Sequence, residues 1–181
     1  MTNNQLFARI FDYPFADRAN LSLNEIVKQN YNNNPVQGDA KRTNPDLHKK
    51  DIKEIDNLIR WVGNLVPDLS AEMAEGICPC TNPKLGGVGG FDRFNYKFDS
   101  CWGIIYDKGN SVIRHNHFPY IFSFCYYVNT PVHSSPLMLE GKRMRMKEGQ
   151  LIIFLSYYNH WVPQCKVNGR CVVVGNINYN L

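Results

Sequence analysis

The stretch "SVIRHNHFPYIFSFCYYVNT" (Ser111–Thr130) joins two histidines, one residue apart, to a run of β-branched and aromatic residues that favour strands. Side chains alternate across a strand, so His115 and His117 are predicted to point to one side and Asn116 to the other. Two imidazoles on one face suit iron, zinc or copper, and the spacing alone does not choose among these metals. The alternative is that one or both histidines are polar residues at a strand end near Pro119.

The chain around this stretch, from about Ser100 onward, consists of short strand-like runs separated by turn residues. Such a succession is typical of a sandwich or barrel. Seven or eight antiparallel strands predict a jelly-roll barrel, the architecture shared with cupins. The runs are "SCWGIIYD", "SVIRHNH", "YIFSFCYYVN", "LMLEGKRMRMK", "GQLIIFL", "HWVPQCKV" and "GRCVVVGNINYN".

The first ninety residues indicate helices and loops instead. "SLNE" (Ser22–Glu25) has the form of a capping box and predicts a short helix that ends in Asn30–Asn34. "NPDLHKKDIKEIDNLIRWVGNL" (Asn44–Leu65) predicts a longer helix, with Asn44 as N-cap, Pro45 at its first position and an end at Pro67.

We therefore expect one domain, with residues 1–90 as a helical and loop cover and residues 91–181 as a mainly β, jelly-roll core. A glycine-rich stretch, "LGGVGG" (Leu85–Gly90), is interpreted as a flexible connection, with a substrate lid as the less favoured alternative. It lacks the spacing of a phosphate-binding or dinucleotide-binding loop.

The composition is that of a soluble globular protein, with a net charge of +4 and a pI near 8.7. The densest basic group, "GKRMRMK" (Gly141–Lys147), alternates basic and apolar residues, which favours a strand with one solvated face. It is a weak signal for nucleic-acid binding, which we do not expect. No apolar run has the length of a membrane span and no signal-peptide layout is visible, so we expect a cytoplasmic protein. The six cysteines are expected to be reduced and structural.

A third candidate ligand lies downstream of the histidine pair. His160 lies eleven residues after Gly149 and follows the apolar run Leu151–Leu155. An early and a late strand of a jelly roll become neighbours, so the three histidines are able to meet inside the barrel. His48 and His133 fall outside this pattern and are expected to be surface residues.

Arg170 lies ten residues after His160 and shares a predicted strand face with Val172, Val174 and Asn176. A guanidinium among such neighbours is costly unless it faces water or an anion, and its planar fork suits a carboxylate. The alternative is an exposed arginine that follows a turn.

The last eighty residues resemble the double-stranded β-helix of Fe(II)/2-oxoglutarate-dependent dioxygenases, and within that superfamily they are most similar to small oxygenases of bacteria and phages. The residues that match this pattern are Gly109, His115, His117, Ser123, Tyr126, Tyr127, Gly149, Leu151, Phe154, Ser156, His160, Val162, Gly169, Arg170 and Asn176.

The resemblance implies that His115, His117 and His160 bind Fe(II) and that Arg170 holds the C5 carboxylate of the cosubstrate 2-oxoglutarate. Dioxygen would then drive decarboxylation to succinate and CO2, coupled to hydroxylation of a substrate. Ser123, Tyr127 and Asn176 are further candidate ligands of the cosubstrate, Tyr96 and Tyr106 are alternatives to Tyr127, and Ser123 also fits a core position. The substrate, a small molecule or a peptidyl residue, is left open.

The sequence departs from the family pattern at three positions. His117 stands where the usual iron site has a carboxylate, and Asp107 lies in a turn that makes it a poor substitute. Leu155 stands in place of a proline, and Val172 in place of a hydroxyl residue that often helps to hold the cosubstrate.

Two other functions fit the same residues. One is a cupin-type dioxygenase with a three-histidine metal site that does not use 2-oxoglutarate, in which Arg170 would bind a substrate carboxylate. The other is a jelly-roll binding protein without catalysis, whose metal site is vestigial or filled by zinc.

Overall fold

The computed structural model describes residues 6–32, 37–77 and 96–180. Two long helices are present in this part of the chain, α1 (Ala16–Asn30) and α2 (Lys53–Ile77). A single turn of 3-10 helix (Leu47–Lys49) precedes α2. The strands are β1 (Ala8–Asp12), β2 (Tyr31–Asn32), β3 (Lys41–Thr43), β4 (Tyr96–Tyr106), β5 (Val112–His115), β6 (Phe122–Asn129), β7 (Leu137–Leu139), β8 (Lys142–Met144), β9 (Gln150–Leu155), β10 (His160–Val162) and β11 (Arg170–Tyr179).

The strands form two antiparallel sheets that face each other. The major sheet has the order β1-β9-β6-β11-β4-β3-β2, and the minor sheet has the order β5-β10-β7-β8. This is the mainly β jelly-roll arrangement that the strand pattern predicts. The helices cover the outer face of the major sheet, whereas the inner face and the minor sheet enclose a second apolar cluster.

The central strand of the major sheet is β11, which pairs with β4 on one side and β6 on the other. Its side chains alternate as expected for a strand buried on both faces. Cys171 and Val173 join the cluster beneath the helices, and Val172 and Val174 join the cluster between the sheets. The inner face of β11 therefore lines the barrel interior.

The N-terminal region contributes three strands that the sequence pattern does not predict. β1 pairs with β9 at one edge of the major sheet, and the β2–β3 hairpin extends the other edge through β4. These strands are short and lie at edges, where pairing with a preformed neighbour rather than intrinsic propensity decides the conformation. The interpretation of residues 1–90 as helices and loops is wrong on this point.

Helix α1 begins at Ala16, six residues before the proposed capping box, and ends at Asn30 as predicted. Ser22 and Glu25 therefore lie inside the helix, and the prediction of its start is wrong. Leu23 and Val27 are fully buried one turn apart against the sheet. This packing extends the helix beyond the segment that the local motif marks.

Helix α2 begins at Lys53 rather than at Pro45, because the chain first makes the 3-10 turn and then passes through Asp51 in the left-handed region (φ 51°). It also continues through Pro67, where the sequence predicts its end. Proline has no N–H to offer the carbonyl four residues earlier, which here belongs to Gly63. The Tyr96 hydroxyl donates to that carbonyl oxygen at 2.6 Å, so the helix keeps its hydrogen bonding.

The other sequence expectations have mixed outcomes. Cys101, Cys125, Cys165 and Cys171 are free and buried, as expected for structural thiols. Gly141–Lys147 forms a strand only over Lys142–Met144, although its basic side chains are exposed as the alternation predicts. Within the described ranges, no helix combines the length and the apolar character of a membrane span. Leu85–Gly90, Cys78 and Cys80 lie outside the described residues.

We expect Tyr96→Phe to destabilise the protein because it leaves the Gly63 carbonyl without its hydroxyl donor. The expected cost is about 1–3 kcal/mol in the free energy of unfolding, measured by urea denaturation. In a Pro67→Ala background the restored N–H occupies that carbonyl, so the same change should cost less. Equal costs in the two backgrounds would show that the hydroxyl does not substitute for the missing N–H.

Candidate metal centre

The three histidines of the sequence pattern meet at one end of the cavity between the sheets. His115 ends β5 and pairs directly with His160, the first residue of β10. His117 lies beyond the end of β5, so the prediction that it shares a strand face with His115 is wrong in its detail. Its backbone N–H donates to the Ser156 carbonyl at 2.8 Å, which turns the side chain into the same site. The three potential ligand atoms lie within 4.8 Å of one another.

The Nδ1 atom of each ring has an oxygen acceptor. His115 Nδ1 donates to the Ile113 carbonyl at 2.7 Å, and His160 Nδ1 donates to the Tyr158 carbonyl at 3.1 Å. His117 Nδ1 lies 2.5 Å from Asn176 Oδ1. A neutral imidazole that donates through Nδ1 carries its lone pair on Nε2, the arrangement found for metal-binding histidines. All three rings therefore offer lone pairs to the site.

The spacing of these nitrogens fits a metal ion. His115 Nε2 lies 3.0 Å from His117 Nε2. Two nitrogen ligands at about 2.1 Å from one ion and at right angles lie about 3.0 Å apart. Two lone pairs this close repel each other unless a cation lies between them. The donor set and its spacing together indicate a transition-metal site.

Asn176 orients His117, which lies outside the strands. Its amide Nδ2 donates to Ser100 Oγ at 3.0 Å, which fixes the orientation of the amide. Its Oδ1 accepts from Ser123 Oγ at 2.8 Å as well as from His117. Ser156 Oγ lies 2.8 Å from Ser123 Oγ and completes the network. Asn176 and Ser123 therefore support His117, and their predicted contact with a cosubstrate stays a prediction.

Burial keeps the imidazoles neutral. It lowers the pKa of His115, lowers that of His117 to about 4 and lowers that of His160 to about 3, where the neighbouring His115 adds to the effect. Protons therefore do not compete for Nε2 at neutral pH, and the site is ready for a metal cation.

Arg170 faces the same cavity and is 1% exposed, so the alternative of a solvated arginine is wrong. Its Nε and Nη1 groups have no hydrogen-bond partner among the described residues. The guanidinium lies over the rings of Tyr106 and Tyr127, with its carbon 4.3 Å and 5.3 Å from their centroids. Buried N–H donors without acceptors are costly, so this group is arranged for a ligand.

Of the three tyrosines considered as ligands of the cosubstrate, Tyr106 and Tyr127 lie beside Arg170 and Tyr96 does not. The Tyr127 hydroxyl is buried without a partner, and burial raises the pKa of Tyr106 to about 12, so both phenols stay neutral. Tyr96 contacts α2 instead and is remote from Arg170 in the fold, since its hydroxyl bonds Gly63. The stacking of Tyr106 on the guanidinium is visible only in the structure, because β4 and β11 pair these residues across the sheet.

The cavity between the histidines and Arg170 is mostly apolar. Val172, Val174 and Ile104 line it between the arginine and the histidines, and the Trp102 ring lies 5.7 Å from that of His117. A mostly apolar cavity with a few converging polar groups is the usual form of a small-ligand site.

The remaining titratable candidates lie elsewhere. Asp107 pairs with Lys41 at 3.1 Å and takes no part in the ligand group. His133 is exposed as expected. His48 was expected at the surface, but both of its ring nitrogens are buried without partners, and burial lowers its pKa. That expectation is wrong because the turn at Leu47–Lys49 packs against β4.

Comparison with known proteins supports the fold. No protein-family model and no curated protein sequence matches the chain. A prolyl-4-hydroxylase from Pseudomonas putida superposes with a TM-score of 0.64 at 15% identity, covering 97% of this chain and 94% of that chain. The viral collagen prolyl hydroxylase of Paramecium bursaria Chlorella virus-1, solved as a 2-oxoglutarate complex, gives 0.63 at 12% identity, with coverage of 94% and 95%.

A third similar structure is the prolyl hydroxylase of Trichoplax adhaerens, solved with a peptide fragment of a hypoxia-inducible factor. It has a TM-score of 0.63 at 14% identity and covers 97% of this chain and 85% of that chain. At these identities the similarity establishes the fold, and it confirms the jelly-roll architecture implied by the resemblance of the sequence.

We expect Asn176→Ala to weaken metal binding about 10-fold to 100-fold, the usual effect of removing a group that orients a histidine ligand. The measurement is the Kd of the metal-free protein for Fe(II) under anaerobic conditions. Ser100→Ala, which removes only the partner of the amide, is the control and should cost less. A wild-type Kd in the Asn176 variant would remove this residue from the site.

We also expect the metal-free protein to lose stability as pH falls below the unfolded histidine pKa of about 6.5, down to the folded values near 3–4. In this window the unfolded state binds protons that the folded state excludes. His160→Gln removes one such group, so the gap between the free energies of unfolding of wild type and variant should change by up to about 1.4 kcal/mol per pH unit. Urea denaturation in the presence of EDTA at pH 7, 6 and 5 measures the two free energies of unfolding. A difference between wild type and variant that does not change with pH would contradict the expectation.

Proposed function

We propose that this chain is an Fe(II)- and 2-oxoglutarate-dependent oxygenase. In this function His115, His117 and His160 bind iron, and Arg170 binds the distal carboxylate of 2-oxoglutarate. One observation carries the proposal: a single cavity holds three converging imidazole lone pairs and a buried guanidinium with unused N–H donors. The likeness in fold to prolyl hydroxylases and to a 2OG-Fe(II) oxygenase from Burkholderia pseudomallei, at a TM-score of 0.51, supports it.

The residues present fit both groups. Imidazole nitrogen is an accepted ligand of Fe(II), and three protein ligands leave other coordination positions for the cosubstrate and dioxygen. An arginine without a counter-ion in an apolar cavity loses several kcal/mol of hydration, which a carboxylate in bidentate contact offsets. Tyr106 and Tyr127, which flank the guanidinium, are the neutral donors available in place of the hydroxyl that Val172 lacks.

When bound, Fe(II) supplies the centre at which dioxygen and 2-oxoglutarate react, so that one oxygen atom enters succinate, CO2 is released and the other oxygen enters a C–H bond of the substrate. The chain positions the reactants. Arg170 orients the cosubstrate from one end of the cavity, and Asn176 fixes His117 at the other. Val172 and Val174 exclude water between these ends, which strengthens the electrostatic contacts on both sides.

The ligand set has a consequence for binding order. Three neutral histidines leave the charge of a divalent ion uncompensated, because no carboxylate belongs to the ligand group of the described residues. The dianionic cosubstrate should therefore bind the iron-loaded protein far more tightly than the metal-free protein. The substrate is a small molecule or a peptidyl residue that reaches the histidine end of the cavity.

The same neutral ligand set favours one second candidate, a cupin-type dioxygenase that binds its substrate directly at a three-histidine metal centre. Arg170 would then hold a carboxylate of that substrate, and 2-oxoglutarate would have no role. Dependence on 2-oxoglutarate separates the two functions.

The test is anaerobic calorimetric titration of the metal-free protein with Fe(II), followed by 2-oxoglutarate. We expect iron uptake at one site and 2-oxoglutarate binding only to the iron form. Iron uptake without 2-oxoglutarate binding would favour the cupin-type function, and absence of iron uptake would contradict both. His160→Ala, checked for a folded barrel by circular dichroism, should abolish iron uptake.

We expect Arg170→Leu to spare iron binding and to weaken 2-oxoglutarate by about 2–5 kcal/mol, the cost of removing one partner of a buried charged pair. Arg170→Lys keeps the charge but not the planar fork, so its affinity for 2-oxoglutarate should lie between those of wild type and the leucine variant. Calorimetry on the iron-loaded variants measures both. Unchanged 2-oxoglutarate affinity in the leucine variant would exclude Arg170 from the site.

A further inference from the structure

A second arginine lines the same cavity. Arg42 in β3 pairs with Ile104 in β4, and paired residues of neighbouring strands point to the same face of a sheet. Ile104 faces the cavity, and Arg42 lines it too, in a half-buried position. The sequence pattern gave no reason to single out this residue, because β3 was not predicted.

Within the described part of the chain, the Arg42 side chain forms neither an ion pair nor a side-chain hydrogen bond. Its neighbour Lys41, which points to the other face, pairs with Asp107 at 3.1 Å. None of the described residues lining the cavity is acidic. Burial lowers the pKa of Arg42, with no carboxylate to offset that effect. The cavity thus contains an uncompensated cation in addition to Arg170.

The segment that carries Arg42 is fastened to both walls of the cavity. Gly38 bridges Val112 in β5, and the Ile113 N–H donates to the Gln37 carbonyl at 2.9 Å. A Cβ on Gly38 would lie 2.2 Å from the Ser111 carbonyl oxygen, so only glycine permits this approach. Arg42 is therefore held on a fixed side wall, between the strand that bears His115 and the strand that bears Trp102.

The two arginines lie at different depths in the cavity, so each contacts a ligand in a different part of it. Arg170 is 1% exposed at the closed end, whereas Arg42 is half-buried. A ligand that uses Arg170 occupies the inner part of the cavity, and a ligand that uses Arg42 occupies the part nearer solvent. With the cosubstrate at Arg170 in the inner part, the outer part beside Arg42 is the space left for the substrate.

We propose that Arg42 binds an anionic group, a carboxylate or a phosphate, on the substrate whose C–H bond is oxidised. This inference rests on the proposed function, which assigns Arg170 to the cosubstrate. The anionic group itself is unchanged in the reaction, and its role is to place a neighbouring carbon beside the histidines. Trp102 and Trp161, which also line the cavity, provide apolar surface for the body of that substrate.

The test uses acetate and methyl phosphate as probes of the two anions. The protein is loaded with Mn(II) in place of iron and saturated with 2-oxoglutarate, and the relaxation of the probe methyl protons by the bound Mn(II) is measured by NMR. We expect relaxation enhancement from at least one probe, and the probe that responds identifies the anion. Arg42→Gln should weaken binding of that probe about tenfold or more, as expected for loss of a charged hydrogen bond.

Lys41→Gln is the matched control, because it removes one cation from the same strand but from the opposite face, and it should bind the probe as wild type does. Arg42→Gln should also retain wild-type affinity for 2-oxoglutarate. Equal probe binding by wild type and Arg42→Gln, no probe binding by a wild type that binds 2-oxoglutarate, or loss of 2-oxoglutarate affinity in Arg42→Gln would each overturn this inference. Failure of the wild type to bind 2-oxoglutarate at all would instead contradict the proposed function.

Discussion

Repulsion among three imidazole lone pairs is the constraint on which the arrangement of this site depends. The barrel brings one potential ligand nitrogen of each ring within 4.8 Å of the others, and each ring is oriented by an oxygen acceptor at its Nδ1. For His115 and His160 that acceptor is local, the carbonyl two residues earlier in the chain. His117 lies outside a strand and depends on Asn176, which is 59 residues away in sequence. Two ligands are thus set by the strands that bear them, and the third is set by the fold.

Strand β11 links the two ends of the cavity. Arg170 begins it and Asn176 follows six residues later, an even spacing that puts both side chains on the inner face. Because β11 pairs with β4 and β6 along most of its length, the backbone positions of Arg170 and Asn176 are fixed relative to each other. In the proposed function, one rigid strand rather than a loop therefore sets the position of the cosubstrate relative to the metal.

Features encoded by a local sequence pattern could be predicted, whereas features that depend on contacts between distant parts of the chain could not. The meeting of the three histidines, the alternating face of β11 and the existence of helix α2 were predicted from local sequence patterns, although His117 reaches the site from beyond the end of β5. Helix α2 passes Pro67 because a tyrosine from a distant strand supplies the missing donor, and no local rule contains that contact. The same holds for Arg42, whose role depends on pairing with β4, and for Tyr106, which meets Arg170 across the sheet.

The two arginines of the cavity differ in how much hydration each has lost. Arg170 has lost nearly all of its hydration and has no counter-charge, so the ligand-free protein carries a cost that only an anion at the inner end relieves. Arg42 keeps part of its contact with water and is unpaired at a smaller cost. In the proposed function, binding energy is therefore largest at the inner position, where the same cosubstrate binds in every turnover. By the same proposal, binding energy is smaller at the outer position, which a substrate must reach and its oxidised product must leave.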